Sequence, residues 1–160
     1  MATLTVWKFQ TTDGADGAVD RLKSLEKQEL IQVHDAATIS WEEGAKRPTT
    51  RQLHNLVGSG AMGGMFWGML FGLIFLIPLF GMAVGAAAGA IAGSLRDVGI
   101  DDDFIRRTRD EIQPGTSALF VLTTDVVVDK VRDAFADDRP KLLHTNLSKE
   151  QEDHLHEVFA

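Results

Sequence analysis

The sequence predicts an α+β fold: a ferredoxin-like sandwich made of two βαβ units, with an apolar glycine-zipper helical hairpin inserted between them. Three observations predict it. A strand, Thr11-Thr12-Asp13, a helix and a strand bearing His34 recur later as a strand, Thr123-Thr124-Asp125, a helix and a strand bearing His144. Residues 52–95 contain no Asp, Glu, Lys or Arg. Within them glycine recurs at every fourth position, as Gly60, Gly64, Gly68 and Gly72 and again as Gly81, Gly85, Gly89 and Gly93, with Pro78 between the two ladders. The chain divides into a first βαβ half (1–45), a polar linker (46–57), the hairpin (58–95), and a linking helix, second βαβ half and C-terminal helix (96–160). The sheet is expected to be antiparallel, with helices on one face.

Thr3 to Phe9 (TLTVWKF) alternates and is rich in β-branched and aromatic residues, which predicts a strand. Thr11-Thr12-Asp13 offers capping oxygens to a helix with Ala15, Ala18, Val19, Leu22 and Leu25 at helical spacing, ending near Leu30. From Ile31 the period changes to two. Ile31, Val33, Ala37, Ile39 and Trp41 share one face and Gln32, His34, Thr38 and Ser40 the other, so a half-exposed strand is expected. Glu42 to Asn55 reads as polar linker.

A four-residue step is just over one helical turn, so each glycine ladder keeps to one side of its helix and drifts by about 40° per step. Glycine costs roughly 0.8–1 kcal/mol per helical site relative to alanine, about 7 kcal/mol for two ladders of four. Close approach of another helix, in lipid or in a dry core, is the physical return on such spacing. The first helix, Gly58 to Ile77, carries Met62, Phe66, Trp67, Phe71 and Phe75 on its other sides, which predicts contact with lipid or a large apolar surround. The second, Leu79 to Leu95, is nearly all alanine and glycine and should be enclosed by helices of other copies, which implies a homo-oligomer. At about 1.5 Å per residue the two are roughly 30 and 26 Å long, near one hydrocarbon thickness. Pro78 marks the turn, and one helix kinked there is the less favoured path.

After the hairpin, Asp101-Asp102-Asp103 is placed to cap a helix holding Phe104, Ile105, Thr108 and Ile112. Pro114-Gly115 ends it. Thr116 to Thr123 predicts a buried strand, Asp125 opens a helix that Pro140 terminates, Leu142 to Leu147 predicts a short strand, and Ser148-Lys149-Glu150-Gln151 predicts a capping box on the final helix.

Composition restricts the function classes. Net charge is −7, which gives no global basic field for nucleic acid, and the absence of cysteine removes thiol catalysis, disulfides and thiolate metal sites. Met1 is followed by a strand-like segment, so no secretory signal is expected. No catalytic, cofactor-binding or metal-binding residue is expected. His34 and Asp35 are adjacent on a strand and diverge, His154 and His156 lack the i, i+4 spacing of a metal pair, and Gly60-Ala61-Met62-Gly63-Gly64 lacks both the preceding strand and the lysine of a phosphate loop. Lys46, Arg47 and Arg51 before the hairpin, with Arg96, Arg106, Arg107 and Arg109 after it, are the expected membrane-surface residues and put the folded domain on the cytoplasmic side. The competing reading pairs these charges with Glu42, Glu43, Asp97 and Asp110.

The segments VWKF, QLHNL, the glycine ladders, DVGIDDDFI, PGTSALF and HTNLS together resemble, over essentially the full length, a large bacterial family of uncharacterised predicted membrane proteins, the domain of unknown function 1269. The resemblance implies membrane association and supplies no activity, cofactor or catalytic residue. In style the chain is also similar to bacterial glycine-zipper stress proteins. The expected function is therefore a non-enzymatic, self-assembling structural or stress-related protein at the cytoplasmic membrane, with itself and the lipid bilayer as partners. One alternative is a soluble closed homo-oligomer whose hairpins form a hidden helical core; another is a regulatory domain that senses a small ligand.

Overall fold

In the computed structural model, residues 2–28, 33–46, 48–52, 64–75, 99–124, 128–135, 140–148, 150, 151 and 153 are described. Strand β1 (Ala2–Phe9) leads through helix α1 (Gly14–Lys27) to β2 (Val33–Ser40) and β3 (Thr49–Gln52). Helices α2 (Gly64–Phe75) and α3 (Asp102–Glu111) follow, then β4 (Ser117–Thr124), α4 (Val128–Ala134) and β5 (Lys141–Leu147). The strands form one sheet in the order β3-β2-β4-β1-β5, with every neighbouring pair antiparallel. Successive strand residues point to opposite faces, so the two faces collect different partners.

Both faces are covered, which corrects the expectation of helices on one face only. On one side Trp7, Phe9, Leu119 and Val121 meet Ala15, Ala18, Val19 and Leu22 of α1 with Val131 and Phe135. Phe135 stands edge-on to Trp7 at 5.3 Å and to Phe9 at 5.9 Å. On the other side Leu4, Val6, Ala37, Ile39, Ala118, Phe120 and Leu122 meet α2 and α3. A strand between two helix layers has no solvent face. Accordingly β2 is not half-exposed: Asp35, Ala36, Ala37, Thr38 and Ile39 are all buried, and the small side chains of Ala36 and Ala37 fit the shallow space under each layer.

The first helix starts differently from expectation. Asp13 occupies the N-cap but its side chain makes no capping bond. The cap comes from the start of β4: the Ala15 N–H donates to Ser117 Oγ at 2.9 Å, and Ser117 Oγ–H donates to the Thr11 carbonyl at 2.6 Å. Ser40, the cross-strand neighbour of Ser117, donates to the Thr12 carbonyl at 2.8 Å. Two serines at one end of the sheet thus tie down the β1–α1 loop.

The remaining local signals map onto geometry directly. Asp101 Oδ1 accepts from the Phe104 N–H at 2.9 Å and caps α3. Gln113-Pro114-Gly115-Thr116 closes a β-turn, with Thr116 N–H on the Gln113 carbonyl and Gly115 at φ +88, the left-handed value that the third position of a type II turn requires. Ser148 and Gln151 make the reciprocal capping box, Ser148 N–H to Gln151 Oε1 at 2.9 Å and Gln151 N–H to Ser148 Oγ at 3.2 Å. The stretch read as polar linker contains β3, a short edge strand whose Thr49–Gln52 pair with Ala37–Ser40. Its start just after Pro48 suits a residue that cannot donate to a ladder.

Candidate functional site

The organising feature is α2 and its seat on the sheet. Its sequence, GMFWGMLFGLIF, holds no charged or hydrogen-bonding side chain except the Trp67 indole. Trp67, Leu70, Phe71, Leu73 and Ile74 are buried, at i, i+3, i+4 and i+7 with Leu73 at their edge, so a stripe of the helix faces the sheet and α3. The Phe71 ring meets Phe120 edge-on at 5.0 Å, and Trp67 stacks on Phe71 at 5.6 Å. Full burial of such side chains contributes about 1.5–3 kcal/mol each. The bulky side of the predicted first helix therefore finds its apolar surround, over this stretch, in the chain's own sheet.

Gly64, Gly68 and Gly72 lie on α2. At roughly 100° per residue they fall about 60°, 100° and 140° round the helix from Trp67, on the flank that adjoins the sheet-facing stripe and that they share with the half-buried Phe75. Gly60, Gly81, Gly85, Gly89, Gly93 and Pro78 lie outside the described residues, as do the predicted second helix, Arg47 and Arg96.

Two polar contacts punctuate this apolar interface. Near the start of α2, Trp67 Nε1–H donates to Asp35 Oδ2 at 3.0 Å, while Asp35 Oδ1 accepts the Ala36 N–H at 2.8 Å. Asp35 is fully buried and follows a register irregularity in β2, where Val33 pairs with Thr123 and Asp35 with Leu122. In the sequence Asp35 draws notice only beside His34, from which it diverges. The available signal was its register: Asp35 is the charged residue in the same alternation as Val33, Ala37, Ile39 and Trp41. At the other end of α2, Arg109 Nε–H donates to the Ile74 carbonyl at 2.8 Å and its Nη2–H to the Leu73 carbonyl at 2.6 Å. Both carbonyls belong to the last residues described for α2. A helical continuation would give Ile74 the amide of residue 78 as partner, but that residue is Pro78, which has none.

Arg109, itself an exposed residue, thus ties α3 to the end of α2. Arg106 and Arg107 share the Asp103 carboxylate at 2.7 and 3.1 Å, and Arg51 reaches Asp16 at 3.4 Å, all well exposed. Asp97, one of the acidic partners suggested by the sequence, lies outside the described residues. Lys46 lies exposed in the loop before β3. Exposed pairs of this kind contribute about 0–1 kcal/mol each and exchange readily for other anions.

At the far end of α3, Glu111 lies between Lys8 and Lys141, which are cross-strand neighbours on β1 and β5. The hydrogen bond from Lys141 holds its carboxyl below the ordinary carboxylate value, with the charges of Lys141 and Lys8 adding to the effect and partial burial opposing it. On α1, burial pushes the Glu26 carboxyl up, and its Oε2 has no hydrogen-bond partner.

Among the described residues, no group of three or more His, Cys, Asp or Glu side chains is placed to hold a metal ion, and no helix is long and apolar enough to cross a membrane. No curated protein matches the chain, and no solved structure matches it. Residues 61–160 match the family model described as protein of unknown function (DUF1269), a match that takes in α2, α3, β4, α4 and β5 and leaves residues 1–60 outside it.

Proposed function

The chain belongs to the DUF1269 family of proteins of unknown function, and from that premise we propose that it is a non-enzymatic, self-assembling protein whose copies associate through the glycine-rich flank of its apolar stretch. The carrying observation is the division of labour on α2. Its buried stripe is spent on the sheet, while Gly64, Gly68 and Gly72 follow one another along the adjoining flank, which they share with Phe75. Eight glycines in helical register destabilise isolated helices and are stabilising only where backbones approach closely.

In this reading the four strands β2-β4-β1-β5 with α1 and α4 form a ferredoxin-like sandwich. The β1-α1-β2 and β4-α4-β5 units interleave in the sheet order, which supports it. The remaining apolar residues form the second arm of a glycine-zipper hairpin. Phe75 sits beside Trp41 at one end of the sheet and Gly99 beside Thr145 and Leu147 at the other, so an arm joining them would run antiparallel to α2.

The uncharged run of residues 52–95 supports docking of the assembly at the cytoplasmic face of a membrane, in a structural or stress-related role. Burial of α2 in its own domain favours the second reading, a soluble closed homo-oligomer. Mass measurement of the full chain, in plain buffer and in non-ionic detergent, tests self-assembly. The wild type should run as a multiple of the single-chain mass, and Gly68→Leu or Gly85→Leu should reduce it toward one chain. A wild type that is monomeric in both media refutes the proposal. Co-sedimentation with anionic vesicles separates the two readings: pelleting supports the membrane, and a clean soluble particle supports the closed assembly.

A further inference from the structure

From the two polar contacts on α2 we infer that Asp35 and Arg109 form a two-point latch, which holds α2 on the sheet as a separately opening unit whose release frees α2 for a second copy of this chain. The inference rests on the self-assembly proposed above for the partner, and on the structure for the latch.

A helix meant only to fill a core needs no carboxylate beneath it. Burying a charge is costly unless donors meet it, and replacing such a group with an apolar residue is often neutral or stabilising. Asp35 is nonetheless fully buried on the face of β2 that α2 covers, and the indole it binds is the one polar side-chain group α2 possesses. Apolar contacts are non-directional and would tolerate sliding along the sheet. The Trp67–Asp35 bond fixes the register at one end of α2, and the Arg109 fork on Leu73 and Ile74 fixes it at the other. Both anchors come from elements outside α2, β2 for Asp35 and α3 for Arg109. The sheet keeps its own packing on the opposite face, through Trp7, Leu119, Val121 and Phe135, so it has support that does not pass through α2. The anchors act on top of the burial of Trp67, Leu70, Phe71, Leu73 and Ile74, so losing either one lowers the opening free energy of α2 while the sheet, packed on its opposite face, keeps its own.

Amide hydrogen exchange on the full-length protein tests this. Trp67→Phe removes the donor and keeps an aromatic ring, and Arg109→Gln removes the charged fork. Each variant should raise exchange of the α2 amides, residues 64–75, by about tenfold or more, while the β4 amides keep wild-type protection. Val121→Ala, which weakens the opposite face, should accelerate α2 and β4 together and so shows that the two regions are read apart. Acceleration of α2 and β4 in step in the latch variants, or no change in α2, overturns the inference. Mass measured on the same samples reports on self-assembly separately. Selective opening of α2 at an unchanged mass overturns release to a second copy and leaves the latch standing.

Discussion

Arg109 reaches from α3 to the Ile74 carbonyl at 2.8 Å, tying α3 to α2 at the residue whose helical donor would have been Pro78. The chain supplies an acceptor with no amide to meet it and, on another helix, a guanidinium that does. Bonds from charged donors contribute about 1.5–3 kcal/mol, so Arg109→Ala should lower the unfolding free energy by roughly that amount. Arg109→Lys should recover only part, because a single ammonium cannot reproduce a planar fork on two carbonyls. Urea denaturation of the two variants beside wild type checks both the loss and the order.

The α1 cap gives a second prediction, in which the obvious residue is the wrong one. Ser117 accepts from the Ala15 N–H and donates to the Thr11 carbonyl, whereas Asp13 makes no side-chain cap. Ser117→Ala should therefore destabilise by about 1–2 kcal/mol, the usual cost of losing a cap, and Asp13→Ala by a few tenths at most. Thermal unfolding of the pair decides the matter. Equal effects would mean that the cap lies in the loop.

What the sequence made legible and what it hid follows from this contrast. Signals whose partners lie within a few residues were readable: the Asp101 cap on Phe104, the Pro114-Gly115 turn and the Ser148–Gln151 box. Signals whose partners lie far along the chain were not. Nothing near Thr11 announces Ser117, and nothing near Leu73 announces Arg109. The strand period in β1, β2 and β4 was visible, but a two-period cannot report whether the second face meets water or another helix layer. Thr38 looked like a solvent-facing residue and is buried under α1's layer. At the candidate site, the glycine spacing was plain from the sequence, and the Asp35–Trp67 contact was hidden because it joins residues on separate elements.

Acid dependence supplies a third prediction, with two carboxylates of opposite sign. Glu111 titrates below its ordinary value of 4.5 in the folded protein, chiefly through the Lys141 hydrogen bond. Its ionised form favours the fold, so its contribution is full above about 4.5 and is lost as pH falls through the folded value. Glu111→Gln should be less stable than wild type near neutrality, with the difference vanishing well below 4.5. Glu26 titrates above 4.5 because of burial. Its ionised form opposes the fold, so Glu26→Gln should be more stable than wild type near neutrality. That difference starts to close at a higher pH, as Glu26 protonates before the solution reaches 4.5. Denaturation midpoints measured across this range for the three proteins should show differences of opposite sign that both close in acid. A Glu111 difference that persists in acid would mean that Lys8 and Lys141 act on stability through packing of their stems.

Gly14 and Gly17 occupy the first turns of the same helix, and the same substitution should move stability in opposite directions. A Cβ at Gly14 would lie 2.5 Å from Phe9 Cβ and 3.0 Å from Phe9 Cγ. Phe9 cannot retreat, since its ring packs on Phe135 and it is buried between β4 and α1. Gly14→Ala should therefore destabilise by about 1–3 kcal/mol, the range for overpacking, despite alanine's better helix propensity. A Cβ at Gly17 meets nothing within 4 Å, and the position is exposed. There alanine removes backbone freedom from the unfolded chain at no steric cost, and Gly17→Ala should stabilise by about 0.5–1 kcal/mol. Both are read by urea denaturation. Opposite signs would show that Gly14 is required by the close passage of β1 beneath the helix start, whereas a gain at both positions would mean that Phe9 and the β1–α1 loop yield to one methyl group.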